Sequence, residues 1–256
     1  MKKTLLFFIF TLFFFAAFSQ GAGDDLPESW DLNLQQQPEV IRLPPLDLEM
    51  IVQQDSINDL DKSMPWRYGI EVPVNINMEH DGLWTTLPGG AKIWQATIQS
   101  TGALNLSINF SDFYLPHGSK VQLYNQERTD VTRTYNNNQN RVNGQLGTWF
   151  VDGDIIWIEY YQPANTQNVA RLQINSVIHG YRMGRVNALL EGNRGLNDSG
   201  ECNYDVNCPV GSDFDTKKDL VKKAVSLLNL GNGYLCSAAL INNTRNDKTP
   251  YLLTAN

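Results

Sequence analysis

Between residues 66 and 182, apolar and polar side chains alternate in short runs separated by turn-forming residues. A period of two places alternate side chains on one face of a strand, which is typical of antiparallel sheets with one buried face. The pattern therefore predicts a mainly β chain with an antiparallel β-sandwich or jelly-roll-like domain over residues 65–182. The alternating runs lie at 68–76, 94–98, 104–110, 121–123 and 172–178, and a denser apolar run lies at 155–161.

Single residues refine this prediction. Pro73 lies inside the first run and has no N–H to donate, so its strand is expected at a sheet edge. Turns are expected at residues 87–90, 116–118 and 152–154, where glycine, proline and aspartate cluster.

Residues 20–64 are polar and contain Pro38 and a Pro44-Pro45 pair. Proline fixes φ and removes a backbone donor, so this stretch is predicted to be a polar linker or pro-segment with a short helix near residues 46–52.

Residues 183–200 are rich in glycine and asparagine and are predicted to be a hinge. Arg182, Arg185 and Arg194 are expected to be exposed there. Arg194 is the leading candidate for proteolytic processing, because it is the last basic residue before Cys202.

The C-terminal segment, residues 201–256, changes pattern again. Apolar residues between 220 and 228 follow helical spacing, with Asp215 or Thr216 as a possible N-cap. The Gly231-Asn232-Gly233 sequence then predicts a hairpin into a strand at 234–241. A second turn at 242–250 leads to a strand at 251–254.

The net charge of −7 argues against a nucleic-acid partner, which needs clustered Lys and Arg. Lys2 and Lys3 precede an apolar run from Leu5 to Phe18 that is too short to span a bilayer with ordinary flanks. We expect a signal peptide over residues 1–19 and a secreted product without a membrane association. A retained membrane anchor is the alternative.

Export leads to an oxidising setting in which disulfides persist. The chain has three cysteines, Cys202, Cys208 and Cys236, so at least one partner is missing or one thiol is free. The spacing of the first two does not suit zinc, and no histidine lies near them. We expect no metal and no cofactor.

The C-terminal segment resembles the first barrel of the trypsin-like serine endopeptidases. In that family a cysteine followed by small residues and an apolar strand, here residues 236–243 (CSAALINN), leads to a hairpin. The next strand, here residues 251–256 (YLLTAN), ends in Leu-Thr-Ala-x-His-Cys, and that histidine is the catalytic base. Residues 199–209 (SGECNYDVNCP) resemble the secreted bacterial lysyl endopeptidase branch. That pattern implies a strand over residues 224–230, so we expect a short helical turn followed by a strand.

The alternating block also resembles the pro-region domain found upstream of secreted bacterial proteases of this branch. The similar elements occur in the same order along the block: residues 66–69 (WRYG), 87–90 (LPGG), 115–118 (LPHG), 153–154 (GD) and 179–182 (HGYR).

These resemblances imply the N-terminal fragment of a secreted serine endopeptidase precursor. A pro-domain precedes the incomplete first β-barrel of a chymotrypsin-like protease at residues 201–256. The Ser, His and Asp of the triad fall outside residues 1–256, so the fragment is expected to be inactive. Cys202, Cys208 and Cys236 would then have disulfide partners downstream.

The implied partners are protein or peptide substrates of the intact enzyme, and the pro-domain with its own catalytic domain. Lysine specificity is implied only at the level of the branch. Ser199 lies in an Asp-Ser-Gly sequence like that around the family's nucleophile, but it precedes the first barrel, so we interpret it as a linker residue.

The remaining candidates have plainer interpretations. His80, His117 and His179 lack ligand spacing, and we expect turn or surface positions, with a structural role for His179. The aspartates at 152 and 154 are too few for a calcium cage, so a tight turn is expected.

The candidates for a sugar-binding platform are Trp84, Trp94, Trp149 and Trp157, with Tyr160 and Tyr161. Trp94 and Trp157 lie on apolar runs and are expected in the core. A secreted sandwich that binds a glycan or a protein is therefore the alternative function.

Overall fold

The computed structural model describes residues 26–182 and 215–255, apart from Asn33 and Lys62. Within these ranges the chain is mainly β, with several antiparallel sheets and no closed barrel, which confirms the predicted fold class. Two short 3-10 helices cover Glu28–Asp31 and Asn137–Gln139.

The other elements are helices α1 (Leu48–Asn58) and α2 (Asp215–Lys222), and strands β1 (Val40–Arg42), β2 (Trp66–Arg67), β3 (Gly69–Asn77), β4 (Leu83–Thr86), β5 (Lys92–Gln99), β6 (Asn105–Tyr114), β7 (Lys120–Asn125), β8 (Leu146–Gly147), β9 (Val151–Asp152), β10 (Ile155–Gln162), β11 (Arg171–Gly180), β12 (Val225–Asn229), β13 (Tyr234–Ile241) and β14 (Tyr251–Thr254).

Two sheets make up the sandwich. The first has the order β1-β5-β10-β7, with β4 also paired to β5, and the second has the order β3-β11-β6-β8, with β9 also paired to β6. The paired strands run antiparallel except for β1 and β5, which are parallel.

Side chains from both sheets meet in one core. Trp94 and Ile98 from β5 are fully buried together with Ile108 from β6 and Ile174 from β11. Each is flanked by a less apolar neighbour, as a period of two requires. Burying one such side chain stabilises the fold by about 1.5–3 kcal/mol, so this shared core holds the two sheets face to face.

The edge position predicted from Pro73 is confirmed. Among the described residues β3 pairs only with β11, so it forms one edge of the second sheet. The register with β11 shifts between Ile174 and Ser176, and Ser176 faces Pro73 just after that irregularity. The missing N–H therefore falls where the ladder is already interrupted.

The segment predicted as a linker makes defined contacts with the sandwich. Strand β1 adds to β5, and helix α1 confirms the helix predicted near residues 46–52, although it continues to Asn58. Asp47 caps the helix by accepting from the N–H of Met50 at 3.2 Å. The predicted boundary between residues 64 and 65 stays a prediction.

The C-terminal elements follow the expected order. Helix α2 precedes β12, which confirms a helical turn followed by a strand, and β13 and β14 have the predicted bounds. These strands form a sheet in the order β12-β13-β14, and β2 also pairs with β13. The sandwich and this sheet are therefore in contact through β2.

Candidate functional site

The hairpin strands β13 and β14 bring Cys236 next to Thr254. Ala238 pairs with Thr254, and Cys236 lies two residues earlier on β13. The Sγ of Cys236 lies 3.2 Å from the Thr254 Oγ1, which itself donates to the carbonyl of Ser237 at 2.9 Å. The thiol is half-buried and is not part of a disulfide among the described residues. It therefore sits beside the end of β14.

The sequence at both turns explains this register. Gly231 and Gly233 have φ values of 83° and 89°, which favour glycine, and the N–H of Leu230 donates to the Tyr234 carbonyl at 3.0 Å. In the second turn, Asp247 accepts from the Asn243 side chain at 2.6 Å and from the Thr249 N–H at 3.0 Å. These hydrogen bonds lower the pKa of Asp247 to about 2.

The first turn rests on the sandwich. The carbonyl of Gly233 accepts from the N–H groups of Tyr68 at 2.8 Å and Gly69 at 3.1 Å. Burial raises the pKa of Tyr68 to about 12, and its hydroxyl donates to the Asn229 side chain at 3.3 Å. The Tyr68 phenol is thus a neutral donor to the C-terminal sheet.

A cleft of about 1130 Å³ opens beside this contact. Residues 227–232 line one side, and Arg133, Tyr135 and Trp149 line the other. The Tyr135 hydroxyl accepts from the Trp149 N–H at 3.0 Å, and burial raises the pKa of Tyr135. Both regions of the chain contribute to this cleft.

The candidate sugar platform is not assembled from both exposed tryptophans. Trp84 lies on β4 in the first sheet and packs edge-on against Tyr160, whereas Trp149 follows β8 of the second sheet. Trp94 and Trp157 are buried, as predicted.

His179 is buried, so the expectation of a turn or surface position is wrong for this residue. Its Nδ1 lies 2.7 Å from the Ser100 Oγ, which is also buried. Burial lowers the pKa of His179, and nearby Asp154 opposes that effect. A serine and a histidine at this distance resemble a nucleophile and its base, but no substrate reaches a pair buried this deeply, so we assign it to packing. His80 and His117 are exposed at turns, as expected.

A cluster of charged residues, which the sequence did not reveal, joins α1 to the first and last residues of the sandwich segment, at 66–67 and 181–182. Asp55 is buried and pairs with Arg67 at 2.6 Å and with Arg182 at 3.5 Å, and it accepts from the Tyr181 hydroxyl. Arg182 also pairs with Asp59 and lies 4.5 Å from the centre of the Trp66 ring. The prediction that Arg182 is exposed is wrong, because these partners cover it. Asp55, the eighth residue of α1, gave no signal in the sequence, because Arg67 and Arg182 both lie outside the helix and no local spacing pairs them with it.

A second buried carboxylate, Glu159, interrupts the apolar run of β10. It accepts from the Ser29 N–H at 3.0 Å, from the Gln95 amide at 3.1 Å and from the Tyr124 hydroxyl at 3.4 Å. Burial raises the pKa of Glu159, and these hydrogen bonds oppose the shift. The carboxylate fixes the first 3-10 helix to the sheet. A single charged residue within an apolar run was the signal available in the sequence.

Several predicted site residues lie outside the described residues, namely Cys202, Cys208, Arg194 and Ser199, together with the predicted signal peptide and hinge. Their roles stay predictions. Within the described ranges, no group of three or more His, Cys, Asp or Glu residues is placed to hold a metal ion. The helices in those ranges are too short or too polar to cross a membrane.

A family model described as lysyl endopeptidase, C-terminal domain, matches residues 196–256. The matched segment includes β12, β13, β14 and all three cysteines, and it lies C-terminal to the sandwich. The C-terminal part of the chain is therefore similar to lysyl endopeptidase, which supports a relation to the serine endopeptidases.

Proposed function

We propose that the chain is part of an exported serine endopeptidase precursor. Residues 65–182 are its pro-domain, and residues 201–256 begin its catalytic domain. The parent enzyme hydrolyses peptide bonds. We further propose that it is specific for lysine. The family match over residues 196–256 supports the relation to a protease.

The observation that carries the proposal is the position of Cys236. In the trypsin-like family the corresponding cysteine bonds the cysteine that follows the catalytic histidine. Here the Sγ lies 3.2 Å from Thr254, in the strand that leads to that histidine in the family. A thiol beside the end of β14 suits a tether that fixes the base to the neighbouring strand.

The chemistry needs a serine nucleophile, a histidine base and a buried aspartate that orients the imidazole. Among the described residues, Ser100 and His179 form a serine–histidine pair, but both are buried, so a substrate does not reach them. We therefore propose that the residues described here prepare the catalytic domain and do not themselves hydrolyse peptides.

Maturation is proposed to occur between Arg182 and Cys202, with Arg194 the leading site. The covered position of Arg182 favours a cut further along the chain. We also propose a signal peptide and secretion, which rest on the two lysines and the apolar run that follows them, and disulfides from Cys202, Cys208 and Cys236, which rest on the resemblance to the trypsin-like family.

The test begins with the coding sequence that follows Asn256, which we expect to encode His-Cys within a residue or two. The encoded precursor should then release an enzyme that cleaves a lysyl ester and is blocked by a serine-directed inhibitor. The 256-residue chain alone, refolded as the control, should show no such activity. Cleavage by this chain alone, or a downstream sequence without His-Cys, contradicts the proposal.

The alternative, a binding module, is favoured by one observation. Trp149 is 40% exposed and lines the cleft between the two regions. A glycan that quenches tryptophan fluorescence in the native chain but not in Trp149→Phe would favour this function over the protease precursor.

A further inference from the structure

We propose that the sandwich holds the β12–β13 turn as a non-covalent ligand, and that this contact survives a cut in the segment between Arg182 and Cys202. We name this contact the turn clamp and define it by Tyr68, Gly69 and Asn109 of the sandwich and by the turn at residues 229–233. The inference rests on the proposed function, since it concerns what processing does and does not release.

The backbone part of the clamp requires glycine. The Gly233 carbonyl accepts from two successive N–H groups, those of Tyr68 and Gly69. A Cβ added to Gly233 would lie 2.2 Å from the Gly69 carbonyl oxygen, which is backbone and has little freedom to move. The two backbone segments approach too closely here for any side chain at Gly233.

Side chains complete the contact on both flanks of the turn. The Asn109 amide donates to the carbonyl of Gly231, and the Asn229 amide donates to the carbonyl of Thr148 at 3.3 Å. The Tyr68 hydroxyl donates to the Asn229 carbonyl oxygen. The Asn229 side chain and the Gly231 carbonyl are thus paired with the sandwich, which favours this register of the turn.

A short strand pairing and an apolar contact extend the clamp. Residues Trp66 and Arg67 of β2 pair with Leu235 and Tyr234 of β13. The Leu235 side chain is buried in a cluster with Tyr68, Phe150 and Ile178. This is strand addition to the C-terminal sheet, with one leucine as its apolar anchor.

None of these contacts uses the segment between Arg182 and Cys202. Arg182, the last residue before it, is fixed to the sandwich side by Asp55 and Asp59. All three cysteines lie on the other side, so no disulfide between them joins the two pieces after a cut. A cut there removes the covalent link and leaves the clamp contacts in place. Processing at the hinge therefore does not by itself release the sandwich.

In the uncut chain, the covalent link gives the turn an effective concentration that is on the order of millimolar for short linkers. A cut removes this contribution. The experiment measures whether the contact persists without it. A cleavage site is placed between Arg182 and Cys202 of the full chain, the folded protein is cut, and the pieces are analysed by size-exclusion chromatography and native mass spectrometry at micromolar concentration. We expect the pieces to co-elute.

The decisive variants share a backbone conformation. Gly233 and Gly89 both have φ values of 89°, but a Cβ at Gly89 would meet nothing within 4 Å. Both substitutions by alanine therefore carry the strain of a positive φ, and only Gly233→Ala collides with the clamp. We expect Gly233→Ala to raise the dissociation constant of the cut pieces about ten-fold relative to Gly89→Ala, a change that corresponds to about 1.4 kcal/mol, so that fewer of its pieces co-elute.

Hydrogen exchange provides a readout that does not depend on the variants. The amides of Tyr68 and Gly69 should stay protected in the cut complex, because Gly233 is their acceptor. Separation of the pieces while the sandwich stays folded overturns the inference, as does equal behaviour of the two glycine variants. A downstream sequence without His-Cys would instead overturn the proposed function and leave this result unchanged.

Discussion

The sandwich and the C-terminal sheet are built from similar alternating strands but bury them differently. In the sandwich, two sheets cover each other, and strands such as β5 and β10 are buried along most of their length. In the C-terminal sheet, all four residues of β14 are exposed, and among its described apolar side chains the buried ones are Leu235 and Ala238. Leu235 is buried by the sandwich rather than by its own sheet.

This difference shows that period two specifies a strand but not what covers it. A sheet with one apolar face needs a second layer to exclude water. The sandwich supplies both layers itself, whereas the C-terminal sheet, within the described part of the chain, meets the sandwich at the β12–β13 turn and β2. The stability of the second region is therefore expected to depend on the first.

The largest test removes the charge that joins α1 to β2, because β2 also pairs with the C-terminal sheet. Asp55→Ala leaves Arg67 and Arg182 without their shared partner in a largely buried site. Removing one partner of a buried pair costs about 3–5 kcal/mol. We expect a fall of this size in the free energy of unfolding, measured by urea denaturation.

The matched control is Asp112→Ala, which removes the exposed pair with Arg171 at 2.7 Å. Exposed pairs contribute about 0–1 kcal/mol, so this variant should unfold almost like the native chain. Similar falls in the free energy of unfolding of both variants would mean that the Asp55 cluster does not stabilise the contact between α1 and β2.

The second test compares two leucines. Leu123 is fully buried in the sandwich core, whereas Leu253 on β14 is 61% exposed. Leu123→Ala should lower the free energy of unfolding by about 2–5 kcal/mol, whereas Leu253→Ala should change it by less than about 0.5 kcal/mol. Thermal or urea unfolding followed by tryptophan fluorescence measures both. A large loss from Leu253→Ala would show that the C-terminal sheet is covered in solution.

Much of the fold could be predicted from the sequence, because alternation and turn chemistry act over a few residues. Pro73 indicated its edge, and the glycines at 231 and 233 indicated a hairpin whose following strand has the predicted bounds. The parallel pairing of β1 with β5 was not predictable, since it depends on a distant strand that accepts a polar segment.

The site was less predictable for a related reason. Cys236 was identified through resemblance, and its neighbour Thr254 followed from the hairpin register. The partners of Asp55 and the acceptor of Tyr68 lie far away in sequence, and no local pattern encodes such contacts. His179 was expected at a turn or on the surface, because the histidines lack ligand spacing, yet the last five residues of β11 are all buried.

The smallest expected effect concerns one acidic residue in each of the two regions. In the C-terminal sheet, exposed Asp247 has its pKa lowered by hydrogen bonds. In the sandwich, burial raises the pKa of Glu159 above its ordinary value of 4.5. The two groups therefore respond to pH in opposite directions.

For Glu159 the folded state binds its proton more tightly than the unfolded state. Its contribution to stability is then fully present below pH 4.5 and is lost as the pH rises through the folded pKa. Glu159→Gln keeps an acceptor for the Ser29 N–H but cannot ionise. We expect the stability of the native chain, relative to this variant, to fall as the pH rises above 4.5, and the ¹³C carboxyl resonance of Glu159 to titrate above that value. Urea midpoints measured at several pH values test the first expectation, and a carboxyl resonance that titrates at or below 4.5 contradicts the second. If the relative stability instead rose with pH, the hydrogen bonds from Ser29, Gln95 and Tyr124 would outweigh the burial of the charge.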